Sequence, residues 1–330
     1  MESRQFEYRN PQKTEAAMNL SKNKILVAVN LENNFEFLIE QSYSVASVFD
    51  AEILLLFVME GTGGLGRFIS PEDYMNQLMT HARMKFDAIE SLVRKFATNS
   101  RIPVSYILKK GKVYDQIIET AIDQEVILII MGVDDGDNKP KSRFLGSNTL
   151  NVVREAPCPV ITLKSNKVYP AFRNILVPLD LTGHTKKQVQ KAIELGKYFG
   201  AAIHLVSVFT DKKKITGLLK TVQINQVRNA IASHGIQCTT EILKQPPKGI
   251  SHSICNVATI KNADLIIILT TQRRNFSRFF IGSIAQEIIF MACVPVLSLG
   301  PRAEFKPHLV TSFIDPLNLM QKKSGLKFLA

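Results

Sequence analysis

The chain has 330 residues, 45% of them hydrophobic, and a formal net charge of +12. That length suffices for two ordinary domains with filled cores; no apolar run approaches the roughly eighteen residues of a membrane span, and the amino-terminal residues lack the charged-then-apolar pattern of a signal peptide. The four cysteines have no C-x-x-C and the six histidines no close ligand spacing, so the expectation is buried, reduced thiols in a cytoplasmic protein without a metal centre.

Residues 1–23 are polar, mixed in charge and interrupted by Pro11, and read as a flexible tail. Order is expected from Lys24. Residues 25–29 suit a buried strand, and Phe35, Leu38, Ile39, Tyr43, Ala46 and Phe49 then recur at helical spacing. A second strand is expected over 53–58, a long amphipathic helix over 71–98, a third strand over 104–108, and a helix carrying Ile117, Ile118, Ala121 and Ile122. The β-branched run 126–131 suits a buried parallel strand. Gly132 and Gly136 break it inside an acidic loop, and Ser147 or Asn148 is a candidate N-cap for a helix bearing Leu150, Val153 and Arg154. Pro157 and Pro159 end that helix, and 160–163 reads as a fifth strand. Strands alternating with helices imply an α/β, doubly wound parallel sheet.

Between the second strand and the long helix, residues 61–66 fit G-x-G-x-x-G. They follow the second strand rather than the first, helical periodicity resumes only after Pro71, and the acidic residue some twenty positions on, Glu90, falls inside a helix. A dinucleotide fingerprint needs the opposite on each count, so a loop near the mouth of the fold is the preferred reading.

The pattern then repeats. Residues 174–180 parallel the first strand, 185–199 form a helix closed by Gly200, 202–208 a strand, 218–234 a helix, 237–243 a strand, 250–260 a helix and 265–269 a strand. Ile281-Gly282-Ser283 matches Leu145-Gly146-Ser147, and residues 292–296 match 156–160. The period of about 150 residues is far longer than that of solenoid repeats, so each copy is a whole domain: 24–164, then a linker over 165–173, then 174–299, with an extension over 300–330.

A strand, glycine loop, helix and strand in that order offer a polyanion the helix N-terminus, where free N–H groups and the helix dipole both favour negative charge. Each glycine alone is more often a mere turn glycine. Together, Gly132, Gly136 and Gly146-Ser147 resemble the nucleotide loop of the universal stress protein family, G-x2-G-x9-G-[S/T], with nine residues in the second gap and three, one more than usual, in the first. The stretch 156–160 resembles the family's entry into its last strand. The resemblance implies two tandem five-stranded, Rossmann-like (adenine nucleotide alpha hydrolase-like) domains, and ATP, with or without Mg²⁺, in the first. It implies Ala28 and Asn30 at the first strand end, Val58 against adenine, Met131 and Gly132 as the floor, and Gly136, Gly146, Ser147 and Asn148 around the phosphates. In the second copy the corresponding residues are Pro178, Asp180, Gly282 and Ser283. There Thr270 and Gln272 are read as standing where Gly132 and Gly136 stood, crowding the loop. Family members of single-domain length commonly dimerise through the last strand, which implies an intramolecular pseudo-dimer with 160–163 lying against 296–299.

Residues 24–172 hold 16 Lys/Arg against 18 Asp/Glu, whereas 173–299 hold 16 against 6, so the basic excess belongs mostly to the second copy. Lys212-Lys213-Lys214 and Arg273-Arg274 with Arg278 are its clusters. A solvated basic face is the plain reading; an acidic protein partner or a phosphate-bearing ligand is the sharper one, and nucleic acid stays a minor alternative because aromatic residues do not interleave the charges. The extension 300–330 is apolar without regular spacing and suits either draping over the body or docking on another chain, including a further homodimer. Three classes compete: a nucleotide-binding stress-response module, a slow ATPase with Asp134, Asp135 and Asp137 near Mg²⁺, and a nucleotide-free scaffold. No H-x-G-H, S-G-G-x-D-S or G-x-x-x-x-G-K-[S/T] motif supplies a catalytic apparatus, so no catalytic residue is assigned.

Overall fold

The computed structural model describes residues 8–9, 23–29, 36–59, 102–133, 146–164, 167–181, 185–209, 214–244, 248–270, 281–300 and 302–303. The helix expected over 71–98, the glycine loop 61–66, Asn30, Gly136, Gln272 and the arginine cluster at 273–278 lie outside the described residues, as do Lys212, Lys213 and most of the two terminal segments.

In chain order the elements are β1 (Tyr8–Arg9), β2 (Asn23–Val29), α1 (Glu36–Phe49), β3 (Ala51–Met59), β4 (Val104–Lys110), α2 (Val113–Asp123), β5 (Leu128–Gly132), α3 (Ser147–Glu155) and β6 (Val160–Leu163). The second half repeats them as β7 (Asn174–Pro178), α4 (Thr185–Phe199), β8 (Ala202–Phe209), α5 (Lys214–Ala232), β9 (Cys238–Lys244), α6 (Ile250–Ile260), β10 (Leu265–Leu269), α7 (Ser283–Met291) and β11 (Val296–Leu299). All strands join one sheet in the order β1-β4-β3-β2-β5-β6-β11-β10-β7-β8-β9. β2 to β6 are parallel within the first half and β7 to β11 within the second, while β1 adds one antiparallel strand at the outer edge of the first. The near-continuous apolar runs of β2, β5, β7 and β10 follow from this: helices cover both faces, so neither face of a central strand meets water.

The halves meet where expected. β6 runs antiparallel to β11, with Ile161 opposite Leu297, Thr162 opposite Val296 and Val160 opposite Ser298. Because Val160 corresponds to Val296 and Thr162 to Ser298, each half offers the other the same residues, the signature of a two-fold contact. Ile161 and Leu297 lie on its axis. Thr162 also donates its hydroxyl to the Val296 carbonyl at 3.3 Å, and Lys164 donates to the Phe290 carbonyl at 2.9 Å. Two apolar cores, one per face, each draw residues from both halves. On the α1/α4 face Phe49 packs on Tyr198 (centroids 5.4 Å apart) and on Phe199 (5.5 Å), and Phe199 meets Phe172 edge-on at 5.1 Å. The connection between the halves is pinned: buried Gln41 exchanges hydrogen bonds with both backbone groups of Tyr169, at 2.8 and 2.7 Å, and Asp264 accepts from the Arg173 and Asn174 N–H groups.

Three local expectations are corrected. Tyr8–Arg9, inside the stretch read as a tail, adds an antiparallel strand to β4; two residues are too short for a periodic signal. Helix α3 starts at Ser147, so its N-cap is Gly146, without a side-chain cap hydrogen bond, rather than Ser147 or Asn148. Cys158 is buried and Cys238 and Cys255 half-buried, and burial raises all three thiols, the latter two to about 11. Cys293, however, is exposed. Gly200 does close α4, with φ +59, a left-handed value that glycine adopts without strain.

Ile161→Pro removes a ladder donor on the β5 side of β6 and should destabilise well beyond Ile161→Val, which should cost about 0.5–1.5 kcal/mol; urea denaturation separates them, and equal midpoints would mean that the β5–β6 ladder contributes little. Burial and the Lys261 ammonium both lower the pKa of His204, whose Nδ1 lies 2.7 Å from the Thr239 hydroxyl. The folded state therefore holds this ring neutral, and its contribution to stability is present above the unfolded histidine pKa of about 6.5 and is lost as pH falls below it. The melting temperature of His204→Gln should show a flatter fall across that window than wild type; parallel profiles would contradict this.

Candidate functional site

Within the first half the strand order reverses at β2: β3 and β4 lie on one side of it, β5 and β6 on the other. This is a topological switch point, and the crevice outside the carboxyl ends of β2 and β5 is where such sheets bind ligands. Ala28 and Met131 are register partners there, and Val58 stands near the end of neighbouring β3. Met131 is buried, while Ala28 and Val58 pack half-buried against the core on the α2/α3 face. Gly132 ends β5 opposite Leu163, and the N–H of Val133 is already given to the Leu163 carbonyl at 2.7 Å.

Helix α3 begins on the same side. Gly146 caps it at φ −57, ψ 146, and the first intrahelical bond runs from the Leu150 N–H to the Gly146 carbonyl at 3.0 Å. The amides of Ser147, Asn148 and Thr149 precede that bond and have no carbonyl within the helix to serve them. No acidic residue stands in the first turn, so the partial positive charge of the helix end is undiminished. A Cβ added at Gly146 meets no described residue within 4 Å. Ser147 is exposed and Asn148 half-buried. The described part is therefore a half-apolar floor (Ala28, Val58, Met131) beside an open helix N-terminus, which suits a ligand with an apolar ring and an anionic tail. Asn30 and Gly136 belong to the same expected set and lie outside the described residues.

Gly132 has a different surrounding from the one expected. A Cβ there would point to the opposite face, 3.6 Å from the Leu38 side chain of α1. Leu38 was not singled out in the sequence as a site neighbour, because its helical spacing marks it only as core. The second half also needs a register correction. Gly132 pairs with Leu163 and Leu269 with Leu299, and the next N–H groups, of Val133 and Thr270, go to those same two carbonyls. Leu269, not Thr270, therefore takes the place of Gly132. Thr270 is turned inward, buried, with its hydroxyl on the Leu299 carbonyl at 3.3 Å.

The second crevice keeps one part of the site and changes another. Gly282 caps α7 at φ −60, ψ 146, matching Gly146, with open space around it and Ser283 exposed. Asp180 is exposed beyond β7 and Pro178 is half-buried. The buried amide of Gln188 on α4 donates to the Pro178 carbonyl at 2.8 Å and the Ile267 carbonyl at 3.1 Å. It ties β7 to β10 where, among the described residues, the first half has Leu38 beside Gly132. Among the described residues no cluster of three His, Cys, Asp or Glu side chains is placed to hold a metal, and no helix is long and apolar enough to cross a membrane.

Known proteins agree with this architecture. The universal stress protein MJ0531 of Methanocaldococcus jannaschii is 26% identical over 140 residues, which cover 38% of this chain and 81% of that protein. A universal stress protein structure from Archaeoglobus fulgidus DSM 4304 is 20% identical, covers 86% of this chain and 99% of its own, and superposes with a TM-score of 0.65, a likeness of fold. A universal stress protein from Archaeoglobus fulgidus in complex with dAMP is 19% identical and covers 38% of this chain and 97% of its own, with a TM-score of 0.33. The model of the Universal stress protein family matches both copies, over residues 22–164 and 171–299. The chain belongs to the universal stress protein family.

Proposed function

We propose that this chain binds one ATP, in its first half, and acts as a nucleotide-dependent stress-response or regulatory module rather than as a dedicated enzyme. The observation that carries the reading is the α3 N-terminus: an acid-free first turn, a glycine cap with open space before it, and the Ala28/Met131 floor at the adjacent switch point. Val58, Ala28 and Met131 would take the adenine. Gly146, the Ser147 hydroxyl and the amides of residues 147–149 would donate to phosphate oxygens, with Asn30, Gly132 and Gly136 completing the loop. A divalent ion bound with the phosphates would neutralise part of their charge. The two copies, taken as domains 24–164 and 174–299 with linker 165–173, then act separately in function, only the first being a nucleotide site; Leu269 and the Gln188 bridge favour a nucleotide-free second crevice, in spite of Asp180, Gly282 and Ser283.

Gly146→Val tests this directly, since its Cβ meets no described residue within 4 Å but would stand among the phosphates. ATP at about a hundred times its dissociation constant should stabilise wild type by ~2.7 kcal/mol. The variant should lose about 0.5–2 kcal/mol without ATP, since valine is a poorer N-cap than glycine, and show no rise with it. An unchanged ATP-dependent rise in the variant would move the site elsewhere. Nucleotide released by denaturing the purified protein should be ATP; ADP together with slow turnover would instead favour an ATPase.

A further inference from the structure

Away from the candidate site, the second copy carries two cysteines that line one cleft. Cys255 lies on α6 and Cys293 two residues beyond the end of α7, and the two helices pack side by side. Between them is a cavity of about 240 Å³, lined by His252, Cys255 and Thr259 from α6 and by Met291 and Cys293 from the α7 side, with Ile266 of β10 as its floor. Cys293 is exposed and Cys255 half-buried. Burial and the charge of Cys293 both push the Cys255 thiol up, to about 11, so the two sulfurs are near enough to feel each other. Cys158 is buried and Cys238 opens β9, and neither lines the cleft.

The first copy shows what the pair replaces. Helices α2 and α6 both have eleven residues and share buried positions, Ile117, Thr120 and Ala121 against Ile254, Val257 and Ala258. Helices α3 and α7 both have nine and end on an alanine C-cap. Counted through these helices, Cys255 takes the place of Ile118 and Cys293 that of Pro157, while His252 and Met291 take the places of Asp115 and Glu155. Two residues without a reactive group have become thiols, and two carboxylates that would repel a thiolate have gone. Among the described residues no third His, Cys, Asp or Glu joins the pair in a metal-holding cluster, which leaves the pair the chemistry of sulfur with sulfur.

We propose that Cys255 and Cys293 are a thiol pair that a hydroperoxide converts into an intramolecular disulfide, a modification site that the first copy lacks. The exposed Cys293 sulfur attacks the peroxide; the O–O bond breaks, one oxygen stays as a sulfenic acid and the other leaves as water or an alcohol. Cys255 then attacks that sulfur. The S–S bond forms, the S–O bond breaks, and hydroxide leaves with the Cys255 proton as water. Two thiols and one peroxide thus give one disulfide, one water and one further water or alcohol. Bridging draws the exit of α7 toward α6 and closes the cleft. The same turn carries contacts between the halves: the Tyr169 hydroxyl donates to the Cys293 carbonyl at 3.4 Å and Lys164 to the Phe290 carbonyl at 2.9 Å. A bridge there ties the second copy more firmly at its joint with the first.

Peptide mass spectrometry of the full chain tests this. After hydrogen peroxide, denaturation and alkylation of the remaining thiols, wild type should yield Cys255 and Cys293 peptides joined to each other, with Cys158 and Cys238 alkylated and the link reversed by dithiothreitol. Cys255→Ser should stop at a Cys293 sulfenic acid that dimedone traps. In Cys293→Ser, Cys255 should be oxidised at least about tenfold more slowly than the pair in wild type, because so little of it is thiolate. Cys293 driven to sulfinic acid in wild type with no link to Cys255, or linked instead to Cys293 of a second chain, overturns the proposal.

Discussion

The antiparallel pairing of β6 with β11 is the contact on which the rest of the molecule depends. Each is a four-residue strand with every residue buried, and each would be a bare edge if its half stood alone. Pairing them satisfies both ladders at once and converts two small sheets into one. The two-fold relation makes it economical: Ile161 faces Leu297, and the flanking positions exchange. It also brings α1 and α4 together, so that Phe49 packs on Phe199, its own counterpart. A contact of this kind is available to a dimer of single domains, and here the short connection through Tyr169 and Phe172 makes it intramolecular.

That pairing reaches the candidate site through β5. β6 is held between β11 and β5, and its Leu163 carbonyl receives the N–H of Val133, fixing where the chain leaves the sheet after Gly132. The same carbonyl position in the second half receives Thr270. The two crevices are thus built on one frame with helix caps that match within a few degrees in φ, and they differ in what fills the frame: a glycine beside Leu38 in one, Leu269 and the Gln188 bridge in the other. Duplication has left the frame intact and changed what fills it in the second copy.

Much of this was legible in the residues. Apolar runs of β-branched residues located the central strands, and 265–269, 250–260 and 185–199 match their elements at both ends, because buried strands and capped helices carry their own period and stop signals. The glycine-serine pair at the start of α3 points to the helix N-terminus. What was not legible depended on register or on tertiary contact. Reading Thr270 opposite Gly132 is corrected by the hydrogen bonds to Leu163 and Leu299, which show that Leu269 belongs there. Gly146 as the N-cap was hidden because serine and asparagine beside it are better capping residues. Tyr8–Arg9 gains its strand from the edge of β4, and no local propensity announces it.

The claim most open to direct measurement is that a symmetric frame holds an asymmetric pair of crevices. Equilibrium dialysis of the full chain against labelled ATP, extended to saturation, counts sites without assuming where they are. The account predicts one ATP per chain, a single hyperbolic isotherm. Two equivalent sites per chain, or none at saturating nucleotide, would contradict it.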